Sequence, residues 1–95
     1  MNRVFHALAS LPRRRIIAIL AQTALTTSDL AARFGMSPPA VSRHLALLAH
    51  AGLVQTERQG RRVLYRIDRE ALLGALARFA SEVDGPLRRL PREAI

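Results

Sequence analysis

The side chains best suited to chemistry are arginines and small polar residues that gather in two segments. In the first, Ser37, Ser42 and Arg43 stand among apolar residues that recur at helical spacing. An arginine on a helix can donate two parallel hydrogen bonds to guanine O6 and N7 in the major groove of DNA. A phosphate contact or a solvated charge is the alternative for Arg43. We expect the following residues of this segment to contact DNA: Ser37, Pro39, Ala40, Ser42, Arg43 and His44.

The second segment, residues 57–62, is called the wing here and contains Arg58, Arg61 and Arg62. Residues 53–57 and 62–67 have the composition of two strands, and Arg58-Gln59-Gly60-Arg61 that of the hairpin tip between them. An arginine at such a tip can enter a narrow minor groove or neutralise a phosphate. The alternative is an exposed hairpin whose charge only keeps it in solution. We expect all three arginines to contact DNA.

Three residues predict a helix-turn-helix over residues 28–48. A small residue in the first helix lets the second approach, a glycine in the turn takes a positive φ, and a branched apolar residue packs back on the first helix. Ala31, Gly35 and Val41 meet these needs at spacings of four and six residues. An ordinary pair of antiparallel helices in a bundle is the alternative.

The remaining elements follow from apolar periodicity and from capping residues. Ser37 and Asp68 are predicted N-caps, and Thr26, Thr27 and Ser28 all offer an N-cap for the third helix. Thr26 with Asp29 has the spacing of a capping box, with Asp in place of the usual Glu or Gln. The pattern predicts a mainly α (α+β) fold, a winged helix-turn-helix with the order α-α-α-α-β-β-α. We expect this domain to span residues 1–84, and residues 85–95 to form a flexible tail. The predicted helices cover residues 3–11, 12–22, 29–34, 37–51 and 69–83.

Charge is distributed unevenly along the 95 residues. The formal net charge is +8, and all fifteen basic residues are Arg. Residues 1–34 and 35–67 each carry five Arg and one acid, whereas residues 68–95 carry five of each. This favours a polyanion as partner for the first two thirds of the chain, although a genomic bias towards Arg would give the same composition.

Several classes of function are excluded by what the chain lacks. It has no Cys, so disulfides, thiolate metal sites and thiol switches are ruled out. His44 and His50 are six residues apart and fall on different helix faces, and we interpret His6 and His50 as interface or surface residues. We therefore expect no metal site and no cofactor. No nucleophile–base spacing or phosphate loop indicates an enzyme. No secretion signal or membrane-spanning run is visible, so we expect a cytoplasmic protein.

The sequence from Phe5 to about Val83 resembles the ArsR-type (arsenic-repressor-like) winged-helix regulators. The most specific match is VSRHLALLAHAGLV followed by R-x-G-x-x-x-x-Y, and FHALASLPRRRIIAIL also matches. The resemblance implies a repressor that occupies an operator, and a homodimer in which the first and last helices pair across a two-fold axis. Where metal-sensing members carry cysteines, this chain has Thr26-Thr27-Ser28-Asp29, and its last helix lacks His.

The apolar first and last helices support a dimer independently, because a chain this short cannot easily bury both. We expect the interface to contain Val4, Phe5, Leu8, Leu72, Leu76, Phe79 and Val83.

The hypothesis is a homodimeric repressor that binds an inverted repeat in double-stranded DNA. It would read bases through a recognition helix over residues 37–51 and contact the backbone through the wing, residues 57–62. Alternatives are a non-specific architectural DNA-binding protein and a winged-helix module for protein interaction. The residues specify no effector, so a small molecule, a partner protein or none at all stays open.

Overall fold

Five helices and one hairpin follow each other in the order predicted from the sequence. The computed structural model describes residues 2–84, and residues 85–95, for which we predict a flexible tail, lie outside that part of the chain. The elements are α1 (Asn2–Leu8), α2 (Leu11–Leu20), α3 (Thr27–Phe34), α4 (Pro38–His50), β1 (Val54–Gln59), β2 (Arg62–Ile67) and α5 (Arg69–Asp84). The predicted α-α-α-α-β-β-α architecture is confirmed.

The helix starts are set by short polar side chains. The Ser37 hydroxyl accepts a hydrogen bond from the Ala40 N–H at 3.3 Å, and Asp68 Oδ1 accepts one from the Ala71 N–H at 3.0 Å. These bonds satisfy N–H groups that have no partner inside the helix. The N-caps predicted at both positions, and the capping box at Thr26, are confirmed.

Helix α1 is shorter than the helix predicted over residues 3–11. It ends at Leu8 because Ser10 adopts an extended conformation and caps α2. Arginines of α2 then cover the end of α1. Arg13 donates from Nε to the Ala7 carbonyl at 2.7 Å, and Arg14 donates from Nη1 to the Leu8 carbonyl at 2.6 Å. These two arginines therefore satisfy carbonyls at a helix end that has no glycine cap.

The core lies where α2, α3 and α4 meet. Ile16, Leu30, Val41, Leu45 and Leu48 are each at most 1% exposed. Burying a side chain of this size stabilises the fold by about 1.5–3 kcal/mol. The core fixes the orientation of α4, because three of its residues lie on that helix.

The hairpin has a shorter turn than the predicted tip over residues 58–61. Gln59 pairs with Arg62, so only Gly60 and Arg61 lie between the antiparallel strands, and Arg58 pairs with Val63. Gly60 has a φ of +62°, and no non-glycine residue described has a positive φ. A positive φ at the first central position alone is the pattern of a type II′ turn, whose twist suits a two-residue hairpin.

A backbone bridge attaches the hairpin to the helix-turn-helix. The Tyr65 N–H donates to the Leu25 carbonyl at 2.8 Å, and the Leu25 N–H donates to the Tyr65 carbonyl at 3.2 Å. Leu25 lies two residues before α3 starts. The base of the hairpin is therefore fixed beside the first helix of the helix-turn-helix.

Helix α5 leaves an apolar side uncovered in the single chain. Its Phe79 ring packs edge-on against Phe5 of α1, with ring centroids 5.2 Å apart. Leu76 and Phe79 are 40% and 48% exposed, while Val4, which we expected at the dimer interface, is only 8% exposed and lies in the core. The other large apolar side chains left exposed on α5 are Leu73 and Val83.

The conformation of Gly35 provides a test of the turn. Its φ is +62° and a Cβ there would meet no atom within 4 Å, so replacement acts through backbone strain alone. We expect Gly35→Ala to reduce the free energy of unfolding by about 1–2 kcal/mol. Gly35→Asn should reduce the free energy of unfolding by less than Gly35→Ala does, because asparagine tolerates the left-handed region. Urea denaturation of both variants measures this, and an Ala variant as stable as wild type would contradict it.

Candidate nucleic-acid interface

The turn between α3 and α4 has the geometry predicted for a helix-turn-helix. Thr26 and Asp29 close a capping box at the start of α3, with bonds of 3.0 and 3.1 Å. Gly35 ends α3 in the left-handed conformation, and its N–H donates to the Ala31 carbonyl. Val41 is fully buried and Ala31 is 7% exposed. The roles predicted for Ala31, Gly35 and Val41 are confirmed.

The N-terminal half of α4 presents a polar surface on the side opposite the core. Of the six residues predicted to contact DNA there, four are exposed: Ser37, Pro39, Ser42 and Arg43. Ala40 and His44 are half-buried. Because Val41 and Leu45 are held in the core, the exposed side chains of this half cannot turn inward. The helix therefore offers a guanidinium and two hydroxyls at its N-terminal end.

His44 lies next to two cations. Burial, together with the positive charges of Arg13 and Arg43, lowers the pKa of His44 below its ordinary value. The lowered pKa favours the neutral imidazole, in which one nitrogen donates and the other accepts a hydrogen bond. A neutral imidazole at this position can contact a base edge but adds no charge to the surface.

The three arginines of the wing are exposed but lie in different places. Side chains of paired residues share a face of the hairpin, so Arg58 is on the face of Val63, while Arg62 is on the opposite face with Gln59. Arg61 occupies the turn. Arg62 Nη2 lies 3.6 Å from Asp29 Oδ2 of α3, whereas Arg58 and Arg61 form no salt bridge with any described residue.

A second ion pair neutralises the middle of the hairpin. Arg66 Nη2 lies 2.9 Å from Glu57 Oε2, and this hydrogen bond and charge lower the pKa of Glu57. Sequence reasoning missed this pair, although the cross-strand register would have revealed it once the two-residue turn was known. The positive charge of the hairpin that is not paired with a described carboxylate therefore lies at its tip, on Arg58 and Arg61.

Among residues 2–84, every helix is too short or too polar to span a lipid bilayer. Within residues 2–84, no three His, Cys, Asp or Glu side chains come together in a way that could hold a metal ion.

Comparison with known proteins places the sequence and the fold in one group. Residues 12–56 match the family model described as "Bacterial regulatory protein, arsR family". The chain is 33% identical over 72 residues to the transcriptional repressor SdpR of Bacillus subtilis. The aligned segment covers 76% of this chain and 80% of that protein.

Two solved structures have the same architecture. An ArsR-like transcriptional regulator from Rhodococcus sp. RHA1 superposes with a TM-score of 0.79 at 33% identity, over 86% of this chain and 74% of that one. A homodimeric winged helix-turn-helix DNA-binding domain from Mycobacterium bovis superposes with a TM-score of 0.71 at 35% identity, over 85% and 77%. The sequence matches, the capped helix-turn-helix and the wing all lead to the same family. This chain belongs to the arsR family of bacterial regulatory proteins, which are transcriptional regulators and not enzymes.

Proposed function

We propose that the protein is a homodimeric repressor that acts in the cytoplasm by binding an inverted repeat in double-stranded DNA. The observation that carries this proposal is the division of α4 into two sides. Val41, Leu45 and Leu48 are buried, while Ser42 and Arg43 are exposed on the N-terminal half of the same helix. A recognition helix uses this half to reach base edges in the major groove.

The wing supplies the part of the affinity that does not depend on sequence. Arg61 lies in the hairpin turn with its charge unpaired among the described residues, and Arg58 is likewise exposed. The Leu25–Tyr65 bridge holds the base of the hairpin beside α3. Phosphate contacts from such arginines orient the protein on the duplex, whereas base contacts from α4 select the site.

The dimer rests on the apolar side of α5. Leu76, Phe79 and Val83 are between 40% and 70% exposed in the single chain, and Phe5 of α1 extends this surface through its contact with Phe79. A second copy paired about a two-fold axis buries both surfaces at once. It also places two copies of α4 in successive major grooves, roughly 34 Å apart on one side of the duplex.

A non-specific architectural role is the second candidate, favoured by the net charge of +8. Selection of bound duplexes from random DNA by the purified protein distinguishes the two. We expect a palindromic consensus with two half-sites. Enrichment of no consensus, at a salt concentration where the protein binds DNA, would support the architectural function instead.

Arg43 provides the test of base reading. We expect Arg43→Ala to weaken binding to the selected duplex by about 1–3 kcal/mol and to relax selection at one position of each half-site. Binding to random duplex should change much less. Fluorescence anisotropy on both duplexes measures the difference, and equal losses on the two would contradict base reading by Arg43.

Arg61 provides the test of the wing. We expect Arg61→Gln to weaken binding to selected and random duplexes alike, and to reduce the slope of log K against log salt by about 0.9 for a lost phosphate contact. The matched control is Arg78→Gln, which removes an exposed arginine of α5 and should leave the slope unchanged. Equal slopes for Arg61→Gln and wild type would show that the wing tip does not contact phosphate.

The apolar side of α5 is tested with a matched pair of substitutions. Leu76 is 40% exposed on α5, and Leu47 is 39% exposed on α4 outside the proposed interface. We expect Leu76→Glu to convert the dimer into monomers at micromolar concentration, because the interface would bury an unpaired carboxylate. Leu47→Glu should remain dimeric. Sedimentation velocity reports the mass, and a dimeric Leu76→Glu protein would place the interface elsewhere.

A further inference from the structure

One carboxylate belongs both to the helix-turn-helix and to the wing. Asp29 Oδ2 accepts a hydrogen bond from the Thr26 N–H at 3.0 Å, and the same oxygen lies 3.6 Å from Arg62 Nη2. The Asp29 N–H in turn donates to the Thr26 hydroxyl at 3.1 Å. The capping box therefore holds the carboxylate in place, and the arginine of the wing reaches towards it.

The surroundings of Asp29 keep it charged. Hydrogen bonds from the Thr26 backbone and side chain, and more weakly the charge of Arg62, lower the pKa of Asp29. It lies in a cleft of about 340 Å³ between α3 and the wing, lined also by Arg61 and three hydroxyl-bearing residues. Asp29 is the single acidic residue of that lining. Of the two arginines that line the cleft, Arg62 is the one that pairs with this carboxylate.

Arg62 belongs both to this ion pair and to the wing that we propose contacts DNA. The side chains of Arg62 and Asp29 are 67% and 41% exposed, so the pair is in contact with solvent and contributes little to stability. A DNA phosphate can therefore replace the carboxylate at the guanidinium at low cost. While the carboxylate is bound, however, it cancels part of the charge that the wing offers to DNA.

We propose that Asp29 limits the affinity of the wing for DNA by competing with a backbone phosphate for Arg62, an inference that rests on the proposed DNA-binding function. In the free protein the pair also links the wing to α3. Asp29 thus acts through Arg62 and touches no base. Its effect is the same on every DNA sequence, in contrast to that of Arg43.

The decisive variant is Asp29→Asn, because the amide oxygen can still accept from the Thr26 N–H while the charge is gone. We expect binding to both selected and random duplexes to tighten roughly two- to fivefold, the range set by an exposed ion pair. The slope of log K against log salt should steepen by up to about 0.9. Asp29→Glu keeps the charge and the capping-box type, and should bind as wild type does.

The control is Glu57→Gln, which removes one negative charge from the middle of the hairpin and releases Arg66 instead of Arg62. The gain in affinity and the change in salt slope of Glu57→Gln should be clearly smaller than those of Asp29→Asn. In the background of Arg62→Gln, the gain from Asp29→Asn should disappear. The thermal midpoint of each free variant is measured in parallel, so that loss of the helix cap is seen separately.

Several results would overturn the inference. These are an Asp29→Asn protein that binds no more tightly than wild type, a gain no larger than that of Glu57→Gln, or a gain that persists with Arg62→Gln. Any of them, in a protein whose binding still weakens with Arg61→Gln, refutes the role of Asp29 and leaves the proposed function intact. Absence of DNA binding by the wild-type protein would overturn both.

Discussion

The packing of α4 against α2 and α3 is the constraint on which the rest of the structure depends. Val41, Leu45 and Leu48 lie on one side of α4 and are at most 1% exposed, so the helix cannot rotate without exposing them. Replacing one such leucine by alanine typically lowers the free energy of unfolding by about 2–5 kcal/mol. This strong preference fixes Ser42 and Arg43 on the outer side, where a duplex can reach them. The base reading that we propose is thus a consequence of core packing.

The wing is positioned by weaker and more distributed contacts. Its base is held by the backbone bridge between Leu25 and Tyr65, and nearer the tip by the solvent-exposed pair of Arg62 and Asp29. A hairpin that is fixed by a backbone bridge, and nearer its tip only by an exposed ion pair, suits contacts to the DNA backbone, whose shape differs from site to site. The proposed roles of α4 in base selection and of the wing in phosphate binding thus rest on contacts of different strength.

Local features could be predicted from the sequence, and long-range contacts could not. The N-caps at Ser37 and Asp68 and the left-handed Gly35 each depend on a few neighbouring residues, so their residue types were sufficient. The two-residue turn was missed because strand register, not composition, sets it. The pairing of Arg62 with Asp29 spans 33 positions and becomes visible only when the hairpin is placed beside α3.

Base reading by α4 is best tested by methylation interference on a selected duplex, because a methyl group on guanine N7 lies in the major groove, where we propose that Arg43 donates its hydrogen bonds. We expect interference at symmetric guanines in the two half-sites for the wild-type protein, and loss of that interference at one guanine of each half-site for Arg43→Ala. Interference that is absent, or that is identical in the two proteins, would contradict base reading by the exposed side of α4.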